Sequence, residues 1–155
     1  RALYARAAPR WRPARDEVCR NLGARRRLAR RWTAFERFVG PRARANLNGP
    51  LRKDRVRRIF FVLPREYLFS VLYHHDGQDD GSMAGYGRLF TLEEVFSLRA
   101  DAFYESSDWS LQITDRDSSF TSLLLKRSGE VVRVRTPGGQ EVNRWPSWAA
   151  FLKLV

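Results

Sequence analysis

Arg10, Trp11 and Arg12 set an indole between two guanidiniums, and Arg30, Arg31 and Trp32 repeat that pairing of cation with aromatic. A guanidinium forks onto phosphate with two hydrogen bonds, and an indole can stack on an unpaired base. Arg25, Arg26 and Arg27 lie between the two triplets, and Arg42, Arg44, Arg52, Lys53, Arg55, Arg57 and Arg58 carry the same charge onward. These residues form the candidate nucleic-acid-binding set. Phosphate contacts would supply their affinity.

Other groupings lack the spacing that chemistry needs. His74-His75-Asp76 stands beside Asp79 and Asp80. A calcium loop begun at Asp76 puts Gly81 correctly at the sixth position, but it puts Gly87 at the twelfth, where a bidentate Glu is required. Adjacent histidines rarely point at one ion, so the segment reads as a solvated acidic loop. The glycines at 81, 85 and 87 are not followed by Gly-Lys-Ser/Thr and do not space as a dinucleotide fingerprint, so that stretch reads as a flexible loop. No Ser has a base and an orienter in a Gly-x-Ser-x-Gly elbow. Cys19 has no partner cysteine, which excludes a disulfide framework and a Cys-based zinc site. The sequence therefore predicts a binding protein: no enzyme, no cofactor, no metal and no small-molecule substrate.

The charge is concentrated. The chain of 155 residues carries a net +12, and residues 1–58 hold 19 basic against four acidic residues, whereas 59–155 hold 10 against 13. Only Lys53, Lys126 and Lys153 are lysines; the other 26 cations are arginines. Such asymmetry predicts an Arg-rich extension over 1–58 attached to a near-neutral body over 59–155. With 43% hydrophobic and 13% aromatic residues the chain has material for a packed core. No apolar run approaches the length of a membrane span.

The elements that would position these groups follow from periodicity. Apolar residues from Val18 to Val39 predict a basic helix over about 13–39, with Asp16 and Glu17 in its first turn and Gly40-Pro41 as its stop. Residues 41–50 read as a turn-rich linker, 59–63 as a buried strand, and 65–75 as a helix in preference to a strand. Thr91 and Glu94 form a capping box with Phe90 and Val95 at the staple positions, which predicts a helix from Leu92 to about Tyr104 burying Leu92, Val95, Phe96 and Phe103. Strands over 109–114, 120–126, 131–136 and 140–144, joined by short turns, predict an antiparallel meander. Pro146 would open a terminal helix presenting Trp148, Phe151, Leu152 and Val155. The class is α+β, with helices covering one face of the sheet.

The acid-poor start, 1–15, resembles the end of an organellar presequence or the residues just after one. A basic arm on a small α+β body resembles ribosomal proteins in style, without matching any family motif. The expected role is a structural subunit of an organellar ribosome, mitochondrial before chloroplast, contacting ribosomal RNA and neighbouring subunits. The rival expectations are an accessory subunit of another large organellar assembly, such as a respiratory complex, and a free RNA-binding factor.

Overall fold

The computed structural model describes residues 22–52, 63–81, 83, 85–98 and 110–153. The order is α1 (Leu22–Ala45), α2 (Arg65–Tyr73), α3 (Leu92–Ser97), β1 (Ser110–Gln112), β2 (Thr121–Lys126), β3 (Val131–Arg135), β4 (Gln140–Trp145) and α4 (Trp148–Phe151). The four strands form one antiparallel sheet in sequence order, and the fold class is α+β.

The sheet follows from alternation and tight turns. Leu111, Leu125, Val131 and Trp145 stand opposite one another across the four strands, and all but the partly buried Trp145 are fully buried. A one-residue slip would turn that row out of the core, so the register is strongly specified. Between β3 and β4 the register shifts: Arg133 faces Asn143 but Val134 faces Glu141, which leaves Val142 bulged and exposed on the edge strand.

Helix α1 is amphipathic. Leu28, Trp32, Phe35 and Val39 recur at steps of four, three and four residues and form one stripe, buried at the first three positions and partly buried at Val39. The regular helix breaks at Gly40 (φ 80°, ψ 173°), a conformation open to glycine, and one further turn runs past Pro41 to Ala45. The expected stop at Gly40-Pro41 is therefore a kink. The expected start of this helix at 13 lies outside the described residues, as does the expected strand but for Leu63.

The stripe docks on α2 and α4. The Ser70 hydroxyl, 1% exposed, accepts from Trp32 Nε1 at 2.9 Å and from Trp148 Nε1 at 2.6 Å, and it donates to the Glu66 carbonyl at 3.2 Å. One donor and two lone pairs are all a serine hydroxyl has, and all three are used. Around this point Trp32 meets Trp148, Phe35 meets Phe151, and Phe151 meets Tyr86 and Trp145. Burial raises the Tyr67 phenol well above its ordinary value, with the Asp76 charge adding to it. The basic helix thus shares one core with the segments after residue 62.

Helix α2 resolves the ambiguity of 65–75 in favour of helix. Helix α3 begins with the capping box: Glu94 N donates to Thr91 Oγ1 at 3.2 Å and Thr91 N donates to Glu94 Oε2 at 2.7 Å. Its described part ends at Ser97 with Leu98 as C-cap; Phe96 is only partly buried, and Phe103 lies outside the described residues. Ser147, not Pro146, caps α4, and Glu66 Oε2 accepts from the Ala149 N–H at 2.9 Å. Trp148, Phe151 and Leu152 are buried in the chain's own core, and Val155 lies outside the described residues.

Candidate nucleic-acid interface

The core stripe fixes what lies opposite it. At 3.6 residues per turn, Arg26, Arg30 and Arg37 fall within about 40° of one another and about 16 Å along the axis, on the side away from Phe35. All three are exposed, as are Arg27 and Arg42, while Arg31 is half-buried at the flank. Residues 22–52 carry nine arginines and one acid, Glu36.

Pairing separates these arginines from Arg88, Arg133 and Arg144 of the body. Arg88 holds Glu94 through two hydrogen bonds of 2.8 and 3.1 Å, which keeps the Glu94 carboxyl below its ordinary range. Arg133 holds Asp117 at 2.6 Å, and Arg144 holds Glu130 and Glu141. Arg26, Arg27, Arg30, Arg31, Arg37 and Arg42, by contrast, make no ion pair or side-chain hydrogen bond among the described residues. Their charge is balanced by nothing in the described fold.

Not every expected residue belongs to this face. Trp32 is 1% exposed with its N–H bound to Ser70, so it cannot stack on a base; the local triplet Arg30-Arg31-Trp32 points in two directions. Arg25 lies 4.2 Å over the Tyr73 ring. Arg44 stands 3.6 Å from Glu36 and is partly compensated. Arg52 is exposed and already engaged. Arg10, Trp11, Arg12, Lys53, Arg55, Arg57 and Arg58 lie outside the described residues, as does Cys19. The sequence expectations omitted Arg37, although its spacing of seven from Arg30 puts it on the same row. They also omitted Phe38, which is 53% exposed beside it.

Two shallow grooves adjoin the ridge, and Leu28 and Phe69 line both. One, of about 390 Å³, is rimmed by Arg27, Arg30 and Arg31; the other, of about 360 Å³, by Arg25 and Arg26. Their floors are apolar and their rims cationic.

The histidine and acidic segment serves the fold. His75 Nε2 meets Glu36 Oε1 at 2.7 Å and Nδ1 meets the Asn48 carbonyl at 2.9 Å, so both ring nitrogens are committed. Burial lowers the His74 pKa, as do the His75 and Arg25 charges, with Glu36 opposing. Asp76 Oδ1 accepts from Leu92 N at 2.7 Å, and Gln78, 1% exposed, accepts from Leu89 N through Oε1. The first part of the expected solvated loop is thus tied to α3 and the 88–90 segment; Asp79 and Asp80 are exposed. The glycine-rich stretch, read as a flexible loop, is packed at Met83 and Gly87, while Gly81 and Gly85 are exposed. Met83 is buried, and a Cβ on Gly87 (φ 85°) would come within 2.2 Å of the Asp115 carbonyl oxygen. Among the described residues no cluster of three metal-ligating side chains occurs, and no helix is long and apolar enough to cross a membrane.

No protein-family model matches the sequence, and comparison with curated proteins finds no match.

Proposed function

We propose that this protein is an RNA-contacting subunit that lays the arginine ridge of α1 on a phosphate backbone, with a structural rather than catalytic role. The observation that carries the reading is the contrast in pairing. Arg88, Arg133 and Arg144 are paired with carboxylates of the fold, while six arginines of α1 have no counter-charge among the described residues. Like charges on one helix repel, and a polyanion relieves that repulsion while releasing its own counterions. Arginine's planar fork suits phosphate oxygens.

The setting we propose is an organellar ribosome, mitochondrial before chloroplast, with ribosomal RNA and neighbouring subunits as partners. The Arg-rich composition of residues 1–58 supports it. An acidic protein surface, as in another large organellar assembly, is the competing occupant of the same charge. The burial of Trp32 favours it to the extent that one expected base-stacking ring is withdrawn. Sedimentation of detergent-extracted organelles separates the readings. Co-migration with ribosomal particles, with release by nuclease, is expected. Co-migration that survives complete nuclease digestion would assign the ridge to a protein partner and overturn the RNA reading.

A further inference from the structure

Phe120 breaks two local rules at once. Its φ is 56°, and among the described residues it is the one non-glycine with positive φ. That region is strained for a bulky L-residue and natural for glycine. With 63% of its surface exposed it is also the most exposed large hydrophobic residue of the described set, so core packing does not offset the strain. A strained backbone that persists is over-determined by its surroundings, and such residues concentrate at sites that bind or act.

The surroundings are built to hold this one residue. Phe120 N donates to the Asp117 carbonyl at 3.0 Å, and the Phe120 carbonyl accepts from Thr136 N at 2.8 Å and Thr136 Oγ1 at 3.1 Å. On either side of it, Ser119 N and Thr121 N both donate to Asp117 Oδ1 at 2.9 Å. Asp117 is itself fixed by Arg133 Nη2 at 2.6 Å. The ring therefore stands on a rigid mount. Arg116 immediately precedes Asp117, and Arg135 is the β3 partner of Thr121. Both are exposed, and neither has an ion pair among the described residues.

An exposed flat ring, with exposed arginines four residues before it and across the ladder from the next residue, Thr121, matches a nucleotide, which joins a flat base to an anion. Resting on the RNA reading above, we infer that Phe120 is a stacking platform for an unpaired base of single-stranded RNA, with Arg116 and Arg135 taking the flanking phosphates. Stacking on an aromatic is tolerant of sequence, so the platform selects single strands rather than a particular base.

Phe120→Gly tests this in the full-length chain, because it removes the ring while suiting the backbone. Binding is measured by fluorescence anisotropy with a short single-stranded RNA and with an abasic oligomer of equal length and charge. The wild-type protein is expected to prefer the base-bearing oligomer by about tenfold. Phe120→Gly should lose that preference, bind the abasic oligomer as before, and melt at the same temperature or higher. Phe120→Trp should keep the preference. A preference retained in Phe120→Gly overturns the platform, as does a clear fall in its melting temperature, which would make the ring part of the fold. Equal binding of both oligomers by the wild-type protein overturns the platform alone. Binding of neither overturns the RNA reading and the platform with it.

Discussion

At the scale of single residues, Ser70 joins the two ends of the described chain. Its hydroxyl satisfies the indole N–H of Trp32, 38 residues away, and that of Trp148, 78 residues away. Ser70→Ala leaves two buried donors without an acceptor, each worth about 1–3 kcal/mol. The expected loss is roughly 2–5 kcal/mol in chemical denaturation, far above that of Ser97→Ala on the exposed end of α3. Asp117 is the second decisive residue. Burial pushes its carboxyl up, but hydrogen bonds from Thr121, Arg133 and Ser119 more than offset this and hold the pKa at about 2. A depressed carboxyl contributes stability above its unfolded value near 4, and that contribution is lost as pH falls through the folded value. Stability should therefore drop between about pH 4 and pH 2, by an amount on the order of 2 kcal/mol. Asp117→Asn should flatten that part of the pH profile. Neither role was legible in the sequence. Ser70 has no local signature, and Asp117 reads as a turn residue because its contact with Arg133 spans the sheet.

At the scale of elements, the cap of α3 was legible in full, because both halves of a capping box lie within four residues. Thr91→Ala should cost about 1 kcal/mol, measured as a lower denaturation midpoint with an unchanged slope. The meander was legible too, since alternation and Gly- or Asp-bearing turns are local signals. Helix α1 was legible as a helix with a narrow apolar stripe through Leu28, Trp32, Phe35 and Val39 against a broad cationic face. Trp32 sits next to Arg31 in sequence, yet only the periodic row Leu28, Trp32, Phe35 shows that it turns inward; reading neighbours as a triplet places the indole on the wrong face. The same row, taken a half-turn on, would have found Arg37. The terminal helix carries a fork that sequence alone leaves open, core or interface. Trp148 and Phe151 stack against each other and meet Trp32 and Phe35 in tilted ring contacts, so the helix closes the core. Trp148→Ala should lower stability of the isolated protein by roughly 3–5 kcal/mol.

At the scale of the whole molecule, the excess charge and the core meet on one helix. One side of α1 is buried in the core, and six arginines elsewhere on the helix have no counter-charge among the described residues. This separates two kinds of variant. Replacing Leu28 or Phe35 should unfold the protein, while replacing Arg26, Arg30 and Arg37 together should leave its melting temperature equal or higher, since like-charge repulsion is relieved. The sequence located the charge in the first third correctly, but the division into a basic extension and a separate body follows composition, and composition does not register which residues share a core. The most direct test of the central claim is the salt dependence of single-stranded RNA binding by the wild-type protein and by the Arg26→Gln, Arg30→Gln, Arg37→Gln variant. Each phosphate neutralised adds about 0.7 to the slope of log affinity against log salt. The account predicts a steep wild-type slope that becomes shallower by about 2 in the triple variant. An unchanged slope in a folded variant would contradict it.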